Sequence, residues 1–117
     1  MTDESRDAVE AVDSVLVALS DPTRRQLLDL LAVQGEATAT TLAERLPVSR
    51  QAVVKHLAVL DTAGLVSSSR IGREVRYTVR PAALDATARW MTALAASWDR
   101  RLANIRRAAE AAERDSH

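Results

Sequence analysis

A chain of 117 residues with no cysteine has room for one domain, and it excludes disulfides, thiolate metal sites and thiol redox switching. Tyr77, Trp90 and Trp98 are its only aromatic residues, so Leu, Val and Ala must build the core. Its formal net charge is zero, no segment approaches the roughly 18 apolar residues of a membrane span, and its acidic start MTDESRD is unlike a secretory leader. A soluble cytoplasmic protein with no membrane partner is expected.

In RDAVEAVDSVLVALS, Val9, Val12, Leu16 and Leu19 recur at helical spacing and predict a first amphipathic helix over about residues 6–19. SDPTRRQLLDLLAVQG opens a second. Asp21 is its N-cap, Pro22 its first residue, Leu27, Leu28, Leu30 and Leu31 its buried side, and Gly35 its end. TTLAERL makes a short third helix with Leu42 and Leu46 inward and Thr40 as the cap, and PVS turns the chain. The fourth helix starts at Ser49, whose hydroxyl suits an N-cap, and reaches Gly64, which suits a left-handed residue after the helix end. Val53, Leu57 and Leu60 form its buried stripe, with Ala52 beside it, so Arg50, Gln51, Val54, Lys55 and Ala58 point outward.

After Gly64 the period changes to two. LVSSSRIGREVRYTV predicts a hairpin over residues 65–79, with Gly72 in its turn and Val75, Tyr77 and Val79 alternating against Glu74, Arg76 and Thr78. Arg70 and Arg73 flank the tip and Arg76 lies on the outer face. Residues 81–112 then form a helix of roughly thirty residues, about 45 Å long. Leu84, Ala88, Met91, Ala95, Trp98, Leu102, Ile105, Ala109 and Ala112 alternate spacings of four and three along it, a seam of the kind two helices share. Trp90 and Leu94, beside the seam, are expected to face the domain's own body. So long a stripe needs a second subunit to cover it, and a homodimer through the N- and C-terminal helices is expected. Val9, Val12, Leu16, Met91, Ala95, Trp98, Leu102 and Ile105 are its interface candidates.

Five helices with a two-stranded wing, in a mainly α chain, are the pattern of a winged helix-turn-helix, its DNA-binding core spanning residues 21–80. In such folds the second helix of the pair enters the major groove with its N-terminal residues toward base edges. The charge distribution is compatible with that: residues 1–44 carry −6, residues 45–80 carry +5 and residues 81–117 carry +1. A basic block inside a neutral chain suits a localised phosphate-binding surface. An ordinary solvated face of mixed charge would look the same, and charge alone does not separate the two. Gln51 has the amide that pairs with adenine, Arg50 the fork that pairs with guanine, and Val54 the methyls that meet thymine. Arg50, Gln51, Val54 and Lys55 are the base-reading candidates. Thr40, Ser49, His56, Arg70, Arg73 and Arg76 are the phosphate candidates, although His56 also suits a partly buried histidine bonded to a backbone carbonyl.

The segments SDPTRRQLLDLLA, LAERLPVSRQAVVKHLAVLDTAGLV and GREVRYTV resemble the ArsR/SmtB family of small winged-helix repressors of bacteria, from about Leu19 to Val79. The resemblance implies a homodimer built from the first and last helices that binds operator DNA and usually represses nearby genes. It places Ser49, Arg50, Gln51 and Lys55 on the DNA-facing helix, and Arg70, Arg73 and Arg76 on the wing. Val54 replaces a small polar residue common in the family, which implies a different operator preference.

The family's metal sensors are where this chain departs. Thr38 and Thr40 of EATATTL stand where metal-binding members carry a cysteine pair in ELCVCDL. The second metal pattern, anchored on Asp85, reads Thr87, Trp98 and Arg101, which leaves one ligand of four, whereas tetrahedral zinc needs three or four. His56 and His117 lack neighbours at ligand spacing. No metal and no cofactor are expected, and the resemblance is closer to the metal-independent branch. An effector, small molecule or protein, has no signature here; Tyr77, Trp90 and Trp98 read as core rather than as a pocket. With no Gly-rich loop and no nucleophile paired with a base, an enzyme is not expected. A sequence-specific, nucleoid-associated DNA-binding repressor on a pseudo-palindromic operator is the expected function, with its own operon among the candidate targets. The alternative is an adaptor that uses the basic face for an acidic protein partner; arginines on both helix and wing favour DNA.

Overall fold

A computed structural model describes residues 2–116 of the chain; His117, the second histidine, lies outside them. Among the described residues, five helices and three short strands run in the order α1 (Asp3–Leu19), α2 (Pro22–Gln34), β1 (Ala37–Thr38), α3 (Ala39–Glu44), α4 (Arg50–Thr62), β2 (Val66–Ile71), β3 (Glu74–Val79) and α5 (Ala82–Asp115). The chain falls into two compact units, Met1–Thr87 and Ala88–His117. The first contains the winged helix-turn-helix, and the second is the greater part of α5. Among the described residues no helix is long and apolar enough to cross a membrane.

Helix ends follow from local chemistry. The Asp21 carboxylate accepts from the N–H groups of Thr23 at 2.8 Å and Arg24 at 3.3 Å, two donors that a first helical turn leaves without partners. Ser49 Oγ accepts from the N–H of Ala52 at 3.1 Å and starts α4 where expected. Gly64 ends it with φ +77°. Leu65 N–H donates to the Leu60 carbonyl and Gly64 N–H to that of Asp61, both at 2.9 Å, the paired bonds of a Schellman ending. α3 requires a correction. Its cap is Thr38, whose hydroxyl accepts from the N–H of Thr41 at 3.2 Å. Thr38 has the extended backbone a cap needs, whereas Thr40 already lies inside the helix.

The core of the first unit is aliphatic. Leu27 and Leu31 of α2, Leu42 of α3, Val53, Leu57 and Leu60 of α4, and Leu65 are all fully buried. The stripe expected on α4 is thus the observed one, and on α2 only Leu30 is less deeply buried than expected. α1 buries Val12, Val15 and Ala18 and leaves Val9 and Leu16 exposed; of the three interface candidates on this helix, Val12 is the one turned into the chain's own core. Ala18 and Val15 join the core cluster with α2 and α4, where small and β-branched side chains allow close approach.

The wing also differs from expectation, because the sheet has three strands in the order β1-β3-β2, all antiparallel. Ala37 pairs with Tyr77 and Thr38 with Arg76, while Val66 pairs with Val79 and Ile71 with Glu74. The two-residue turn between β2 and β3 is Gly72-Arg73, with φ +63° at Gly72 and no positive φ at Arg73. Glycine at the first central position is what such a II′-type hairpin turn requires.

α5 runs for 34 residues, about 51 Å. Its expected seam is open to solvent in the single chain: Met91 is 53%, Trp98 51%, Leu102 55% and Ile105 63% exposed, and Ala95 is exposed as well. Trp90 and Leu94, expected to be covered, are exposed too, and the guanidinium of Arg101 lies over the Trp98 ring, 5.2 Å from its centroid. Neither tryptophan is a core residue of the single chain.

Candidate nucleic-acid interface

The outward face of α4 is made by its inward one. Because Val53, Leu57 and Leu60 are fixed in the core, the 3.6-residue period turns Arg50, Gln51, Val54, Lys55 and Ala58 into solvent, and all five are exposed. The wing tip adds Arg70 and Arg73, also exposed. Among the described residues none of Arg50, Lys55, Arg70 and Arg73 is in an ion pair, so their charges are available to an anion. Between α3, the start of α4 and β3 lies a concavity of about 560 Å³, lined by Thr38, Thr40, Arg50, Val54, Arg73 and Tyr77 among others. Within it, Arg50 Nε donates to the Thr40 hydroxyl at 3.1 Å.

Two phosphate candidates, Arg76 and His56, stand differently from expectation. Arg76 is engaged: its guanidinium donates to Glu36 at 3.0 Å and to Glu74 at 3.1 and 3.2 Å, bonds that raise its pKa, Glu36 first and Glu74 second. β1 beside β3 brings the Glu36 carboxylate to it, a neighbour the hairpin by itself did not predict. His56 is half-buried, with Nδ1 3.4 Å from Arg24 Nη1. A guanidinium only donates, so Nδ1 accepts; the expected backbone carbonyl partner is replaced by a cation, and the ring is not part of the exposed α4 face. Thr40 is exposed, and its hydroxyl accepts from Arg50 while its hydrogen is left to donate, so the contact does not remove it from the phosphate candidates. Ser49 remains at the head of α4, where its oxygen caps the helix and its hydrogen is free to donate.

Arg24 is the residue that sequence reasoning passed over. Its Nε donates to the Ala18 carbonyl at 2.6 Å and Nη2 to that of Val17 at 3.3 Å, while Arg25 donates to Leu19. The two arginines of DPTRR therefore close the C-terminal end of α1, where free carbonyls and the negative end of the helix dipole favour a cation. The available signal was a pair of arginines just after a helix end.

A model of the helix-turn-helix domain matches residues 19–68. Over 80 residues the chain is 36% identical to the transcriptional repressor SdpR of Bacillus subtilis, an alignment spanning 68% of this chain and 88% of that protein. An ArsR-like transcriptional regulator from Rhodococcus sp. RHA1 has the same fold, with a TM-score of 0.74 and 48% identity over 83% of this chain and 91% of the other. The chain belongs to the ArsR/SmtB family. Another solved relative is the homodimeric winged helix-turn-helix DNA-binding domain of a possible ArsR-family regulator from Mycobacterium bovis, with a TM-score of 0.63 and 28% identity over 87% of this chain and 91% of that domain. This is a family of winged-helix transcriptional regulators.

Within the ArsR/SmtB framework, the two threonines at the cysteine positions have other work. Thr38 caps α3 and Thr40 holds Arg50. Among the described residues no group of three or more His, Cys, Asp or Glu side chains is placed to hold a metal ion.

Proposed function

We propose that the chain is a homodimeric repressor that binds a pseudo-palindromic operator in the cytoplasm, on the nucleoid. The first turns of α4 enter the major groove, with Arg50 and Gln51 toward base edges and Val54 toward a thymine methyl. Arg70 and Arg73 grip flanking phosphates, and the seam of α5, with Val9 and Leu16 of α1, meets a second copy. Two-fold symmetry then presents two α4 helices about 34 Å apart, one turn of DNA. Repression follows from occupancy, because a dimer seated on a promoter excludes RNA polymerase.

The observation that carries this reading is a set of four cations, Arg50, Lys55, Arg70 and Arg73, spread over α4 and the wing tip and, among the described residues, in no ion pair. The test is binding of the purified chain to its own upstream DNA and to a scrambled duplex, from about 50 to about 300 mM salt. A complex of two chains per site that persists where the scrambled duplex is released is the expected result. Equal, sequence-blind binding that disappears by physiological salt would overturn it.

A further inference from the structure

One contact on the candidate interface joins a residue of α3 to the first residue of α4. Arg50 Nε donates to the Thr40 hydroxyl at 3.1 Å, across ten positions of sequence. The acceptor sits on a fixed frame. Thr40 is flanked in α3 by Ala39 and, two residues on, Leu42, both buried in the core, and the helix is capped by Thr38 rather than by Thr40 itself. The donor is long and otherwise unrestrained: Arg50 is exposed and, among the described residues, in no ion pair. With Nε occupied, the two terminal nitrogens remain as the free end of the fork, and an end-on fork is one geometry in which arginine meets the O6 and N7 atoms of guanine. Among the described residues no carboxylate pairs with that fork in place of a base.

We infer that Thr40 is a positioning residue for sequence readout, holding Arg50 through Nε so that its terminal nitrogens face a guanine edge. The inference rests on the operator-binding reading above and adds to it a residue outside α4 that sets base preference without touching the base. The physical basis is preorganisation. An arginine already held near its bound rotamer loses less side-chain freedom on docking, and holding it in one direction penalises bases that need another. Thr40→Val keeps the shape of the side chain and removes the hydroxyl, and because Thr38 is the cap, the start of α3 keeps its own hydrogen bond.

The experiment selects duplexes from a random pool with the full chain in five forms: unaltered, Thr40→Val, Thr40→Ser, Arg50→Ala and the Thr40→Val/Arg50→Ala double variant. For Thr40→Val the ratio of affinity for the selected duplex to that for random DNA is expected to narrow by roughly 2- to 12-fold. The lost preference is expected at the base pair that Arg50→Ala also loses. Thr40→Ser should restore it, and Thr40→Val should add nothing in the Arg50→Ala background. A profile for Thr40→Val that superimposes on the unaltered one, a loss spread evenly over all positions, or a loss that persists in full without Arg50 would overturn the inference; the last would make Thr40 a phosphate contact in its own right. If the unaltered chain enriches no sequence, the operator reading fails and this role with it, and that arm is read alone, so the two failures are distinct. The Arg50 Nε–H resonance of the free protein gives a check without DNA. It should move in Thr40→Val, and an identical signal in both proteins would also refute the contact.

Discussion

The guanidinium of Arg24 lies 3.4 Å from Nδ1 of His56, joining residues 32 positions apart. Arg24 belongs to the first turn of α2 and bonds the last carbonyls of α1, whereas His56 lies in the middle of α4. One side chain therefore ties the end of the N-terminal helix to the helix that carries the candidate base-reading residues. Replacing Arg24 by Met keeps the apolar stem and removes every donor. It leaves two carbonyls and a ring nitrogen to find other partners, at a cost of about 1–3 kcal/mol in unfolding free energy. Urea denaturation of the two proteins measures this, and an unchanged midpoint would show that solvent replaces the guanidinium without loss.

Acid should act through Asp21. Partial burial pushes its carboxyl up, but the backbone N–H groups of Arg24 and Thr23, then the charges of Arg24 and His56, hold it below the ordinary aspartate value of 3.8. Since the folded pKa is the lower one, the stabilisation is complete above the unfolded value and is lost as pH falls through the folded one. Asparagine caps a helix as well as aspartate but does not titrate. Between neutral pH and about pH 3, the unaltered chain should lose more stability than Asp21→Asn. Parallel losses in the two proteins would place the acid sensitivity elsewhere.

The arginines of the wing should not behave alike. Arg73 is exposed and, among the described residues, unpaired, whereas Arg76 already binds Glu36 and Glu74. Arg73→Ala should weaken binding to all duplexes and reduce the salt dependence by about one phosphate contact. Arg76→Ala should change that slope little, since freeing two carboxylates removes no available cation. Salt titrations of both variants decide the matter, and equal slopes would return Arg76 to the phosphate-binding set.

The seam of α5 gives a test of assembly. Leu102 is 55% exposed in the single chain, and a carboxylate placed there leaves a lone helix unharmed but is costly to bury between two. Leu102→Glu should dissociate the dimer while keeping the helical circular dichroism of the first unit. Sedimentation velocity reads the outcome, and a dimer of undiminished stability would move the interface away from this face.

Local chemistry made much of the molecule legible from sequence alone. Asp21, Ser49, Gly64 and Gly72 act within four residues of themselves, through caps and turns that need no distant partner. Val53, Leu57 and Leu60 declare the buried side of α4, and with it the exposed set Arg50, Gln51, Val54 and Lys55, because one helical period determines both. What tertiary structure alone decided depends on residues far apart in the chain. A two-residue strand such as Ala37–Thr38 has no periodicity to read and exists by pairing with Tyr77 and Arg76. That pairing brings Glu36 to Arg76 across 40 positions and turns an expected phosphate contact into an ion pair. His56 lies against Arg24, 32 positions away beside the end of α1, and Val12, an interface candidate by spacing, is buried with Val15 and Ala18 while Val9 and Leu16 stay exposed. Hydrogen bonds and burial over such distances depend on how helices and strands are set against one another, and no local pattern of residues encodes that by itself.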